Sequence, residues 1–307
     1  MQKVISVSIG SSKRDHCIET KIMGQKFIIE RIGTNGSINK AIDLIKKNDG
    51  KVDAIGLGGI DLYIKSGNKS YIIREALKLK NAAKITPIVD GSGLKNTLER
   101  RVIKYLQESN EIDFNKKKVL VTSGMDRFGM AESLEYYNSK LILGDLMFTL
   151  GIDKPLYSLT SLNKVANIVA PIASKLPFNL LYPTGEKQNI TVTNRFIKYF
   201  NEAEIISGDF HYIKRFMPNN MKGKIIITNT VTSEDVTMLK DKGVNRLITT
   251  TPEFAGRSFG TNVMEGVIIT LLKLLGKEVN EYEYNSILNT IDLKPRIEHL
   301  NEFERVI

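Results

Sequence analysis

The run Lys118-Val119-Leu120-Val121-Thr122-Ser123-Gly124-Met125-Asp126-Arg127-Phe128-Gly129-Met130-Ala131-Glu132 passes from an apolar strand pattern through a glycine-containing turn into a helix start. In that order of parts, backbone N–H groups and the helix dipole can together hold a phosphate. The next strand pattern ends at Asp145, 21 residues after Gly124, the spacing expected of a carboxylate that accepts from a ribose hydroxyl. Read this way, Gly124, Asp126, Arg127 and Gly129 form a pyrophosphate-binding turn, and Asp145 favours NAD over NADP. The turn is Gly-x-x-x-x-Gly rather than Gly-x-Gly-x-x-Gly, and Asp126 repels a pyrophosphate unless Arg127 neutralises it. An ordinary βαβ unit without a cofactor is therefore the competing reading.

Outward from this run, apolar stretches of strand length recur between helical patterns, the signature of an α/β fold. Strands are expected at Val4–Ile9, Lys26–Ile32, Asp53–Leu57, Thr86–Val89, Lys118–Thr122, Lys140–Leu143, Glu204–Ser207, Lys224–Thr228 and Arg246–Thr249. Helices are expected near Ser37–Asn48, Lys95–Glu108, Phe128–Tyr137, Leu162–Lys175, Ser233–Lys242 and Asn262–Leu275. Gly24 and Ser66-Gly67-Asn68 each separate two short strand patterns, so the first third holds antiparallel hairpins. The expectation is two Rossmann-like halves, with a mixed sheet in the N-terminal half and a mainly parallel sheet in the C-terminal half. The polar stretch Ser109–Lys118 suggests a single cut, giving an N-terminal α/β domain over 1–115 and a Rossmann-like domain with C-terminal helices over 116–307. Pro177–Val192 reads as a long loop over a site.

Composition limits the function classes. The chain has 307 residues and 44 Lys+Arg against 34 Asp+Glu, a formal net charge of +10. Its basic residues are dispersed, with Lys116-Lys117-Lys118 as the one run of three, so nucleic-acid binding is disfavoured and small anionic ligands explain the excess equally well. One cysteine, Cys17, excludes an intramolecular disulfide and a Cys-clustered metal site, and three histidines offer little for metal chemistry. The start Met1-Gln2-Lys3-Val4-Ile5-Ser6 reads as a strand rather than a signal peptide, which points to the cytoplasm. Val263–Leu275 is apolar but far short of the ~20 residues a bilayer span requires.

Open α/β sheets bind ligands beyond the carboxyl ends of their strands. Five of six such tails here carry an Asp; the bland alternative is that Gly and Asp are common turn and cap residues. Asp90-Gly91-Ser92-Gly93-Leu94-Lys95-Asn96-Thr97 offers Asp90, Ser92, Lys95 and Asn96 as substrate-binding candidates, against a plain helix cap. The loop Thr251–Asn262 offers Arg257, Ser258 and Thr261, with the Arg257 fork suited to a carboxylate or phosphate. Gly208-Asp209-Phe210-His211-Tyr212 places a carboxylate and an imidazole near one strand tip, so Asp209 and His211 are candidate proton-transfer residues, against a structural histidine. Lys187, in Pro183-Thr184-Gly185-Glu186-Lys187-Gln188, is an alternative proton carrier. His16 and His299 have no constellation around them.

Four segments, Val4–His16, Val89–Arg101, Ser207–Pro218 and Gly256–Glu265, together resemble a bacterial family labelled quinate 5-dehydrogenase, and the likeness runs over nearly the whole chain. That resemblance implies NAD(P)-dependent interconversion of quinate and 3-dehydroquinate. The substrate and Gly-Ala-Gly-Gly-Ala motifs of quinate/shikimate dehydrogenases have no counterpart at the matching positions, so no catalytic residue is carried over. The leading reading is an oxidoreductase using NAD or NADP on a small polyhydroxy carboxylate. The alternatives are a transferase holding a phosphorylated or nucleotide-linked donor between two Rossmann-like domains, and a non-catalytic sensor of a small anion. Homo-oligomerisation stays open.

Overall fold

The computed structural model describes residues 1–66, 69–176, 195–251, 253–254, 257–258 and 260–302. Within them the chain divides into two compact units, one of residues 1–97, 167–176 and 260–293, the other of residues 98–166, 195–258 and 294–302.

In the first unit, β1 (Gln2–Ser8) is buried on both faces over its last five residues, which places it inside the sheet. It runs parallel to β3 (Gln25–Gly33) on one side and β4 (Ala54–Gly58) on the other. β2 (His16–Ile22) returns antiparallel on β3 through Met23-Gly24, whose positive φ angles of 49° and 77° suit a two-residue hairpin turn. β7 (Ile88–Val89) completes the order β2-β3-β1-β4-β7. β5 (Tyr63–Ser66) and β6 (Lys69–Ile72) form a separate hairpin. Ser37 caps α1 (Ile38–Asn48), and α2 (Arg74–Lys80) packs beside it.

The second unit is a six-stranded sheet ordered β15-β12-β11-β10-β8-β9. Its parallel strands are β8 (Lys118–Val121), β9 (Lys140–Leu143), β10 (Ile205–Gly208), β11 (Ile225–Thr228) and β12 (Arg246–Thr249). β15 (Arg296–His299) adds an antiparallel edge. Period-2 alternation sends Leu120, Ile142, Ile206, Ile226 and Leu247 into one core and Val119, Val121, Leu141, Leu143, Ile205, Ile227 and Ile248 into the other. Both faces are therefore covered, as a parallel sheet requires. The helices flanking this sheet include α4 (Phe128–Tyr136), α5 (Leu159–Ala173), α6 (Ile197–Glu202), α7 (Phe210–Phe216) and α8 (Ser233–Asp241).

The expected fold class holds: α/β with antiparallel strands in the N-terminal half and a mostly parallel sheet in the C-terminal half. The compact units do not follow a single cut at 115/116. The helix α3 (Ser92–Glu108) runs unbroken from the first unit into the second. The helix expected near Asn262–Leu275, α9 (Thr261–Leu274), belongs to the first unit, where it packs on β1, β4 and β7, and so does α10 (Glu281–Thr290), which is not among the expected helices. The cause is the apolar girth of α9: residues 262–272 are all buried, more than one amphipathic face can supply, so the helix must lie against a sheet.

In each unit the strand order reverses once. The chain leaves β1 toward β3 and returns to place β4 on the other side, and it leaves β8 toward β9 and returns to β10. Such reversals open a crevice at the carboxyl ends of the flanking strands.

Candidate functional site

In the second unit the reversal lies between β8 and β10, and chemistry-bearing side chains gather at their tips. Gly208 ends β10 at a φ of +121°, and a Cβ there would collide with the Thr122 hydroxyl. Only glycine lets the two tips approach this closely. Asp209 then caps α7: its Oδ1 accepts the His211 backbone N–H at 2.8 Å. Its Oδ2 accepts from Arg127 Nη2 at 2.9 Å and from Asn229 Nδ2 at 3.1 Å.

Arg127, just ahead of α4, is the hub. Its side chain is 4 % exposed, and its guanidinium meets Glu99 Oε1 at 2.7 Å, Asp209 Oδ2 at 2.9 Å and Asp126 Oδ2 at 3.3 Å. Burial works against its charge, but the Glu99, Asp126 and Asp209 carboxylates outweigh burial and hold its pKa above the ordinary arginine value. Three carboxylates thus converge on one guanidinium.

Asp145 lies at the tip of β9 and opens a π-helical turn, Asp145–Thr149. It is buried, its Oδ2 accepting the Gly124 N–H at 2.9 Å and its Oδ1 the Met125 N–H at 2.8 Å. Burial pushes its pKa up to about 6 against the pull of these N–H bonds. The Tyr212 phenol, one turn into α7 and in hydrogen-bond contact with Thr149, is pushed up to about 12 by burial and by the nearby charges of Asp209, Asp126 and Asp145. It therefore stays protonated at neutral pH. Behind these groups the hydroxyls of Thr122 and Ser123 are buried with no hydrogen-bond partner among the described residues.

This geometry shows where the residues expected from the sequence lie. The amides of Gly124 and Met125, expected to face a pyrophosphate, are filled from within by Asp145, and Gly129 is buried in the first turn of α4. Asp145 has both oxygens committed to this turn rather than presented to a ribose. Arg127 does offset Asp126, as a phosphate site would need, but Glu99 and Asp209 share the same guanidinium. Asp209 accepts the backbone N–H of His211, and the His211 side chain is exposed in the first turn of α7. Lys187 lies outside the described residues.

The remaining candidates belong to the first unit. Asp90 is buried, its oxygens accepting the N–H groups of Leu62 and Ser92, and Lys95 pairs with Asp61 at 3.2 Å. The Gly91 N–H donates to buried Glu265, which also accepts from the Tyr284 hydroxyl at 2.9 Å. The Gly-rich start of α3 is thus saturated by internal carboxylates, as is the turn after β8. Asn96 lies in the second turn of α3, and Thr261 is the first residue of α9. Arg257 and Ser258 form β14, paired with β13 (Glu253–Phe254), and their side chains are outside the described set.

Sequence reasoning missed Glu99, Asn229, Tyr212 and Glu265 as site members. Asn229 stood in a strand tail and Tyr212 is three residues from Asp209, so both carried a local signal. Glu99 and Glu265 lie 28 and 174 residues from their partners and carried none. Among the described residues, no three His, Cys, Asp or Glu side chains are arranged to hold a metal ion, and no helix is long and apolar enough to cross a membrane.

The fold and the site define a doubly wound α/β protein with an acidic constellation at a strand-order reversal. The chain belongs to the family described as Domain of unknown function (DUF8754), whose model matches residues 93–300; a second model, Domain of unknown function (DUF8753), matches residues 3–90. No curated protein matches it in sequence. Among solved structures it is similar in fold to a glucose-galactose binding protein from Geobacillus stearothermophilus, at 9% identity and a TM-score of 0.40 over 99% of both chains. It is also similar to the hetero-hexameric glutamate dehydrogenase from Thermus thermophilus, at 10% identity and a TM-score of 0.43 over 95% of this chain and 74% of that one. A galactofuranose binding protein matches at 13% identity and a TM-score of 0.38 over 95% of this chain and 99% of that one.

Proposed function

We propose that the protein binds a small, neutral, polyhydroxylated molecule at the carboxyl edge of β8 and β10. The carrying observation is the carboxylate cluster at that edge: Glu99, Asp126 and Asp209 all meet the guanidinium of Arg127 at the point where the strand order reverses. Asp126 and Asp209 are the solvent-facing members, with side chains 36% and 20% exposed. A carboxylate accepts up to about four hydrogen bonds, so ligand hydroxyls are suited donors. A pyrophosphate or a carboxylate brings acceptors rather than donors, so it pairs less well with Asp126 and Asp209 than a hydroxyl does. The protonated phenol of Tyr212 adds a donor for a ligand oxygen. Calorimetric titration of the full chain with neutral hexoses, pentoses and linear polyols tests this; Asp209→Asn is expected to weaken binding about tenfold or more, the loss of a charge-assisted hydrogen bond.

A second reading, an NAD(P)-dependent oxidoreductase acting on a polyhydroxy carboxylate such as quinate, is favoured by one specific observation. Asp145 stands at the tip of β9 directly beside the turn that begins α4, where a dinucleotide-binding unit keeps its ribose carboxylate. On this reading the dinucleotide displaces Asp145 from the amides of Gly124 and Met125, and Tyr212 moves the proton that accompanies hydride transfer. Quinate-dependent reduction of NAD or NADP, lost in Tyr212→Phe, is its test.

A further inference from the structure

The first unit has its own strand-order reversal, between β1 and β4, and a cation from the neighbouring β3, Arg31, reaches the β1 tip there. Arg31, near the end of β3, is largely buried, with its side chain 13% exposed. Its Nη1 donates to the Ser11 carbonyl at 3.0 Å and to Asp15 Oδ1 at 2.8 Å, and its Nη2 donates to Ser8 Oγ at 2.9 Å. Ser8 Oγ also accepts the Gly10 N–H at 3.2 Å, so this hydroxyl takes two donors while its own O–H has no acceptor among the described residues. Nη2 likewise keeps a second N–H.

Three glycines surround this pair. A Cβ at Gly10 would lie 3.2 Å from Arg31 Nη2 and 3.3 Å from Ser8 Oγ, and one at Gly58 would lie 2.9 Å from the same hydroxyl. Gly59, at a φ of +71° and exposed, leaves the approach bare. Ser8 itself is 5% exposed, and any side chain at Gly10 or Gly58 would crowd its hydroxyl, with one at Gly10 also crowding Nη2. Among the described residues Asp15 is the one carboxylate paired with Arg31, and it also accepts the Gly33 N–H at 2.6 Å. Burial and the charge of Arg14 together lower the Arg31 pKa to about 10, against the pull of Asp15.

We infer that Ser8, Gly10, Gly58 and Arg31 form a binding site for a small oxyanion, a carboxylate or a phosphate group, separate from the acidic edge of β8 and β10. The guanidinium Nη2 and the Ser8 hydroxyl would supply two donors, and the glycines would give the anion room to reach them.

The test is calorimetry and thermal melting of the full chain with inorganic phosphate and with acetate, each against sodium chloride at equal ionic strength. Phosphate, acetate or both are expected to raise the melting midpoint beyond chloride, and which one does so identifies the anion class. Arg31→Gln is expected to weaken that binding at least ~10-fold. Because Arg31→Gln also frees the Ser11 loop and so loosens the fold, Gly10→Ala serves as the second variant: its φ is ordinary, and its methyl covers the donors. Loss of the anion response in Gly10→Ala supports the site. No response in the wild type, or an undiminished response in Gly10→Ala, overturns it and leaves Arg31 as a pin for the Ser11 loop.

Discussion

The carboxylate of Asp145 accepts the backbone N–H of Gly124 at 2.9 Å. With the matching bond to Met125, the turn that reads in sequence as a phosphate cradle is closed by a residue of the same chain. A buried carboxylate in this position does locally what a bound anion does: it satisfies amides at a helix approach that would otherwise be unpaired.

Burial of that carboxylate, acting against the pull of these bonds, sets a pH dependence. The folded pKa of Asp145, about 6, lies above its ordinary 3.8, so its contribution to stability is fully present below about pH 4 and is lost as pH rises through about 6. The loss amounts to about 3 kcal/mol. Urea midpoints taken from pH 4 to pH 7 for the wild type and Asp145→Asn should converge or cross as pH rises, because the variant lacks this titration. Parallel curves across that range would contradict the assignment.

Arg127→Met is expected to destabilise the chain by about 3–5 kcal/mol, since it leaves Glu99 buried and Asp126 and Asp209 without their shared cation. Arg127→Lys keeps the charge but cannot span Glu99 and Asp209 with a rigid fork, and should recover only part of the loss. Chemical denaturation of the three proteins reads this directly.

Gly208→Ala combines a positive φ with a collision against the Thr122 hydroxyl, and should cost roughly 1–3 kcal/mol. In a Thr122→Ala background the collision is gone and only the backbone strain remains. A double-mutant cycle should therefore show a smaller cost of Gly208→Ala in that background than in the wild type.

Gly91→Ala tests the first unit in the same way. Its φ is +90°, and a Cβ there would press on the backbone of Thr261 and Asn262 at the start of α9. Hydrogen exchange in α9 should rise in this variant, since the helix start must move to admit the methyl.

Much of the fold was legible because parallel strands announce themselves. Val119-Leu120-Val121, Leu141-Ile142-Leu143 and Ile225-Ile226-Ile227 are continuous apolar runs that no amphipathic helix would carry. The edge strand β15 was not legible: Arg296-Ile297-Glu298-His299 alternates weakly and packs on one side only. Strand tails pointed to Asp126, Arg127, Asp145 and Asp209, which do gather in one unit. Their roles were not legible, because Glu99 reaches Arg127 from a helix that begins in the other unit. Nor does a sequence say whether Asp209 faces the backbone or the ring of His211. Spacing names the residues at a strand tip; only the fold says which partners have already taken them.

Whether the β8/β10 edge takes neutral hydroxylated ligands and not phosphates is decided most directly by one calorimetric comparison. The full chain is titrated in parallel with a panel of neutral sugars and polyols and with NAD and NADP, and the titrations are repeated with Asp126→Asn and Asp209→Asn. Heat is expected from at least one neutral ligand, weakened in both variants, and none from either dinucleotide. Tight NAD or NADP binding with no response to any neutral ligand would contradict the proposal and return the edge to the dinucleotide reading.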